Sequence, residues 1–165
     1  MATEENKALA RRFLEEAWGA AGETTESASA LLTSGFRYDE DPIVGPTRVS
    51  GMGQSLWVEI RANRTAFPDL RVEVESMLAE GDAVAVWWNA VGTHEGAVRL
   101  GMGLTGGAEI APTGRRIVGS AITLFGIDGG RIAGIRTCWQ PLSLLQQLAV
   151  LEGKMEVAKL LEKNV

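Results

Sequence analysis

Little in this sequence suits a redox or metal framework. Among 165 residues there is one cysteine, Cys138, and one histidine, His94. A lone cysteine excludes a disulfide scaffold and a multi-cysteine zinc site. A lone histidine without clustered carboxylates is a poor metal ligand, so no metal is expected. Positive charge is also short: 16 Lys and Arg face 21 Asp and Glu, a net charge of −5. That argues against nucleic acid or an anionic membrane as the main partner, since both need a basic face. No apolar run reaches the roughly 18 residues of a membrane span. The opening MATEENKALARR lacks the basic start and apolar core of a signal peptide. These absences lead to the expectation of a soluble cytoplasmic protein.

What is present is enough for one domain. At 165 residues and 45% hydrophobic content, the chain reads as a single unit over 1–165. Its core is expected over about 4–150, with a helical extension over 151–165. Residues 4–19 show helical spacing, with Leu9, Phe13 and Ala17 in line and Ala10, Leu14 and Trp18 beside them. A short helix is expected around Glu26–Leu32, a short strand over Phe36–Asp41, then a Gly/Pro loop over Pro42–Gly53. Gln54–Ala66 reads as a third helix, broken by Phe67-Pro68-Asp69.

The period then changes to two. Leu70, Val72 and Val74 alternate with Arg71, Glu73 and Glu75, as in a strand with one wet face. Further strands are expected over Ala83–His94, Arg115–Ile127 and Arg131–Gln140, with turns at Glu80-Gly81-Asp82 and Asp128-Gly129-Gly130. Gly96–Gly114 is glycine-rich and reads as a weak strand near Val98–Leu104 plus a flap or flexible loop. A helix starts at Ser143. Helices first and antiparallel strands afterwards imply an α+β fold with helices on one face of a curved sheet. Such a sheet encloses a cone able to hold a small molecule.

Several phrases, in this order, carry a resemblance. They are Glu5-Asn6-Lys7, Phe67-Pro68-Asp69-Leu70, Glu80-Gly81-Asp82, Gly92-Thr93-His94-Glu95-Gly96, Pro112-Thr113-Gly114-Arg115-Arg116, Asp128-Gly129-Gly130-Arg131-Ile132 and Leu144-Leu145-Gln146-Gln147-Leu148. Together they resemble the SnoaL-like polyketide cyclases of the nuclear transport factor 2-like fold, an α+β barrel shared with ketosteroid isomerase. The resemblance implies a cone-shaped curved antiparallel sheet packed on N-terminal helices. It also implies a cofactor-independent enzyme of secondary metabolism (antibiotic biosynthesis) acting on a polyketide-like intermediate. In typical relatives the last strand carries the acidic general base. Here the corresponding positions are Gly134 and Gln140, and neither takes a proton from carbon.

A replacement base is therefore sought among the polar residues expected in the cone. Tyr38 and Glu40 alternate onto one face of the first strand, beside Phe36. A carboxylate in an apolar cone has a raised pKa suited to acid–base work, and a tyrosine hydroxyl can donate to a carbonyl or epoxide oxygen. The alternative is a solvated acidic turn before Pro42. His94 shares parity with Trp88 and faces inward; it is either an acid–base group or a strand-end residue bonded to a loop. Catalytic candidates are thus Glu40, His94 and Tyr38.

For substrate binding the candidates are Arg136, Gln140, Trp88, Cys138 and Trp57. By alternation Arg136, Cys138 and Gln140 share a face of the last strand. If that face lines the cone, Arg136 is a fixed cation for an oxyanion. The alternatives are a salt bridge from Arg136 to a carboxylate such as Glu40, or an outward-facing Arg136 if the strand is shifted by one residue. Trp57 and Trp88 belong either to a flat apolar pocket or to plain core. Three functions stay open: acid–base cyclisation or isomerisation of an apolar oxygenated substrate, epoxide opening, and non-catalytic ligand binding or hydroxylase accessory work. A homodimer is expected, because Trp87 or Val91 would otherwise leave the outer sheet face apolar and exposed.

Overall fold

Alternating apolar residues between tight turns build the sheet. The computed structural model of the chain describes residues 2–19, 25–40, 53–99 and 109–149. In order these form α1 (Ala2–Trp18), α2 (Thr25–Ser29), β1 (Leu32–Glu40), α3 (Gly53–Ala66), β2 (Arg71–Glu80) and β3 (Ala83–Thr93). Then come β4 (Val98–Arg99), β5 (Glu109–Ile110), β6 (Arg116–Asp128), β7 (Arg131–Trp139) and α4 (Pro141–Gln147). Most of the loop expected over Pro42–Gly53, most of the glycine-rich flap and the extension over 151–165 lie outside the described residues, and Gly53 itself opens α3.

The main sheet has the order β1-β7-β6-β3-β2 and is open, with β1 and β2 at its edges. Strands β2, β3, β6 and β7 pair antiparallel, as the turns imply. Gly129 and Gly130 both have positive φ, 56° and 75°. That pair suits the two-residue turn whose twist matches the strands it joins. One expectation needs correcting: the sheet is mixed, because β1 runs parallel to β7. The two strands are far apart in sequence, so no hairpin turn constrains their relative direction. The same pairing lengthens β1 back to Leu32, where a helix was expected to run on, and Ile132 N–H donates to the Leu31 carbonyl at 2.9 Å.

Helix α1 buries Ala10, Phe13, Leu14 and Ala17, the spacing of one helical face. Its first turn holds Glu4 and Glu5, where acidic side chains favour the helix dipole. At its far end Arg64 donates to the Glu16 carbonyl at 2.7 Å, satisfying a backbone acceptor the helix leaves open. Phe13 packs edge-on against Phe125 of β6, with ring centroids 6.0 Å apart. Each such fully buried side chain contributes about 1.5–3 kcal/mol. This main core also takes Leu56 and Ile60 of α3, Val84 and Val86 of β3, and Ile132 and Ile135 of β7. A second cluster, with Phe67, Leu70, Ile117, Leu144 and Leu145, lies under α4. Trp18, Ala90 and Trp139 pack against both clusters, so the seam between them is where a cavity opens.

Two contacts hold the end of β3 in place. The Asp69 carboxylate accepts from the Thr93 backbone N–H and, at 2.7 Å, from its hydroxyl. Glu95 and Gly96 N–H both donate to the Ala66 carbonyl, at 2.9 and 3.0 Å, closing the end of α3. A Cβ on Gly96 would stand 2.2 Å from the Thr65 carbonyl oxygen, so this crossing needs glycine.

Candidate functional site

The cavity at the seam has a volume of about 240 Å³. Its walls are mostly apolar and rich in indole: Trp18 from α1, Trp88 from β3 and Trp139 from β7. Phe67, Leu70, Ile117 and Leu144 close the end below α4. Polar side chains come from two directions, Glu59 and Asn63 from α3 and Thr137 from the sheet. Few polar groups in an apolar hollow are the usual make-up of a small-molecule site.

Glu59 and Asn63 are one helical turn apart and so share a face of α3. The Tyr38 hydroxyl donates to Glu59 Oε2 at 2.8 Å. Asn63 Nδ2 donates to the Glu59 carbonyl at 3.0 Å. The Tyr38 bond bridges β1 and α3 and fixes where the Glu59 carboxylate points. Sequence reasoning missed Glu59 and Asn63. The available signal was their position on the polar border of the stripe formed by Leu56 and Ile60.

Strand β7 departs from simple alternation. The β6–β7 register shifts between Gly126 and Ile127, and both Ile132 and Ile135 are buried although three residues apart. An extra residue in a strand flips every side chain beyond it to the other face. Thr137 and Trp139 therefore line the cavity, and Arg136 and Cys138 are exposed on the outer face. Of the two faces left open for Arg136, Cys138 and Gln140, the structure has the outward one: all three are exposed and none lines the cavity. Gln140 is exposed at the start of α4, where its carbonyl accepts from Leu144 N–H at 3.4 Å.

The remaining candidates separate. Tyr38 is buried and reaches the cavity wall through Glu59. Glu40 lies opposite Thr137 in the β1–β7 register, and its side chain lies outside the described residues. Trp88 lines the cavity, and its strand neighbour Trp87 is 52% exposed on the other face. Trp57 is half-buried against Phe13, with centroids 6.5 Å apart, and is not on the cavity wall.

His94 stands apart from the cavity wall and is fully buried. Its Nδ1 accepts from the Thr113 backbone N–H at 3.2 Å and lies 3.1 Å from the Thr113 hydroxyl. An Nδ1 that accepts places the ring proton on Nε2 and the imidazole in its neutral form. Burial pushes the His94 pKa below the usual histidine value, partly offset by the Gly96 backbone. The His94 carbonyl accepts from Gly114 N–H and its own N–H donates to Arg115, both at 2.9 Å. In this position His94 ties the Pro112–Arg116 phrase to the end of β3.

A sequence model of the SnoaL-like polyketide cyclases matches residues 8–148. No curated protein matches the chain. Among solved structures, AclR from Streptomyces galilaeus, named as a hydroxylase, superposes with a TM-score of 0.72 at 21% identity, covering 98% of this chain and 91% of its own. A structure from Jannaschia sp. CCS1 named as a SnoaL-like polyketide cyclase gives 0.71 at 24% identity, with 89% and 93% covered. IdmH from Streptomyces antibioticus, named as a polyketide cyclase, gives 0.64 at 21% identity, with 87% and 98% covered. At these identities the structural likeness establishes the fold. Among the described residues, no helix is long and apolar enough to cross a membrane.

Proposed function

The chain belongs to the SnoaL-like polyketide cyclases, and we propose that it closes or isomerises a carbonyl-rich, polyketide-like intermediate by acid–base chemistry, with Glu59 moving the proton. The observation carrying this reading is the Glu59 carboxylate on the wall of an indole-lined cavity, held by the Tyr38 hydroxyl at 2.8 Å. This reading takes Glu59, not Glu40, as the base, because the Glu59 carboxylate is the one bonded to Tyr38. In the proposed step the carboxylate removes a proton from carbon beside a carbonyl. The resulting enolate attacks a second carbonyl of the same molecule, forming the ring bond, and the proton returns to the new alkoxide. Proton transfer by a positioned carboxylate supports rate gains of about 10²–10⁴. Tyr38 acts as a positioning residue, because its hydroxyl is committed to Glu59.

The test is deletion of the gene followed by metabolite profiling and complementation. An uncyclised carbonyl precursor should accumulate, and the wild-type gene should restore the product. Glu59→Gln should leave the precursor uncyclised, and Tyr38→Phe should slow its conversion. Full restoration by Glu59→Gln would refute the reading. An unchanged product at lower yield would favour a ligand-binding or accessory role.

A second copy of the chain is proposed to cover the outer sheet face. Trp87, Ile122 and Leu124 there are 52%, 55% and 47% exposed and form a contiguous apolar band across β3 and β6. Arg136 borders the band on β7, and Glu75 borders it on β2, where its carboxylate accepts from Asn89. A two-fold axis would set the cationic border of one copy against the acidic border of the other.

A further inference from the structure

Three side chains form a row across the cavity-facing side of the sheet. Trp88 Nε1–H donates to the Thr123 hydroxyl at 2.9 Å. The Thr123 and Thr137 hydroxyl oxygens are 3.0 Å apart, and the two residues are direct cross-strand partners on β6 and β7. An indole N–H only donates, so Thr123 Oγ1 is an acceptor in the first bond. Thr123 is 1% exposed, and its own single proton needs an acceptor. Among the described residues the acceptor within reach is Thr137 Oγ1. The row therefore runs one way, from Trp88 to Thr123 to Thr137.

That direction leaves one proton over. Thr137 accepts from Thr123, so its own hydroxyl proton must point elsewhere. Among the described residues none accepts it, and Thr137 lines the cavity. We propose that Thr137 is the specificity-determining donor of this cavity, holding a carbonyl or enolate oxygen of a planar, largely apolar ligand seated among Trp18, Trp88 and Trp139. The proposal rests on reading the cavity as the substrate site. Successive bonds in such a row polarise one another, which strengthens the last donor. The donor is set before the ligand arrives, so negative charge forming on the oxygen needs no reorganisation. The oxygen then lies on the sheet floor, and Glu59 and Asn63 approach from the helix wall. A ligand held this way has its oxygen on one polar group and the neighbouring carbon available to another.

The experiment uses two probes of one shape. One is 2-acetylnaphthalene, a planar ketone; the other is 2-isopropenylnaphthalene, which carries a methylene in place of the oxygen. Binding to the full chain is read by calorimetry and by quenching of tryptophan fluorescence. The wild-type protein should prefer the ketone by about tenfold, the effect of one hydrogen bond from a fixed donor. Thr137→Val, nearly isosteric, should abolish the preference, and Thr137→Ser should keep it. Thr123→Val should lower it part-way, because the last proton is no longer directed. Glu59→Gln should keep the preference, even where it ends conversion of the natural precursor. That split separates this inference from the acid–base reading. Equal wild-type binding of the two probes would overturn the proposal, as would a full preference in Thr137→Val. Failure of both probes to bind would overturn it together with the cavity as a ligand site.

Discussion

Gly96→Ala should destabilise the protein by about 2–3 kcal/mol, and the magnitude follows from one crossing. The new Cβ would stand 2.2 Å from the Thr65 carbonyl oxygen and 3.0 Å from Ala66 Cα. Both atoms are backbone, so no side chain can swing away. Relief requires the strand end to move by about an ångström from the helix end, given ordinary contact distances. The hydrogen bonds from Glu95 and Gly96 to the Ala66 carbonyl, now 2.9 and 3.0 Å, do not survive that shift. Each is worth about 1 kcal/mol, and the carbonyl left without a partner costs more. Against this, alanine restricts the unfolded chain and returns about 0.4–1 kcal/mol. For a chain of this length the net loss lowers Tm by roughly 5–10 °C. Urea unfolding, with the slope m checked for constancy, measures it directly. Gly35→Ala is the control: nothing lies within 4 Å of its added Cβ, so stability should hold or rise slightly. A neutral or stabilising Gly96→Ala would refute the reasoning. It would also remove the structural account of why glycine ends the Gly92–Gly96 phrase.

The folded state holds His94 with its pKa below the ordinary value near 6.5, so the unfolded chain binds the extra proton first. Stability should therefore fall as pH drops below about 6.5. His94→Gln, though less stable, should flatten Tm against pH between about 5 and 7; an unchanged slope would assign it to other groups. Asp69, held low by its bonds from Thr93, acts in a separate acidic window. Its contribution is present above its unfolded pKa and disappears as pH falls through the lower folded value, and Asp69→Asn should remove that step. Ile122→Glu should convert a dimer to a monomer by sedimentation while the circular dichroism stays unchanged. Cys138, the exposed cross-strand partner of Ile122, should then react faster with a thiol reagent. A wild-type protein that sediments as a monomer at micromolar concentration would refute the shared face. Thr123→Val should cost about 1–3 kcal/mol, because it leaves the buried Trp88 N–H without an acceptor. Adding Trp88→Phe should recover part of that polar loss in a double-mutant cycle.

Much of the fold was legible in the sequence because its causes are local. The helical spacing of Phe13, Leu14 and Ala17 and the two-residue period of Val72 and Val74 report which faces are apolar. The turn at Asp128-Gly129-Gly130 reports where the chain can reverse, since glycine alone adopts both positive φ values without strain. Adjacent Trp87 and Trp88 had to face opposite sides of a strand, and they do. The order of the phrases from Glu5-Asn6-Lys7 to Leu144-Leu145-Gln146-Gln147-Leu148 carried the family resemblance that the match over residues 8–148 bears out.

The candidate site depended on facts that are not local. One register shift on β7 moved Arg136 and Cys138 outward and Thr137 and Trp139 inward, and no residue type marks that shift. Glu59 and Asn63 look like ordinary polar residues on a helix. They become cavity groups only because the seam between two core clusters opens beside them and Tyr38 comes from a distant strand. The pairing of β1 with β7 joins segments nearly a hundred residues apart along the chain. By itself the sequence determined periodicity, turns and the family. Tertiary structure decided which polar atoms share the cavity, because a side chain's surroundings depend on register and packing between elements that propensity and spacing along one element do not encode.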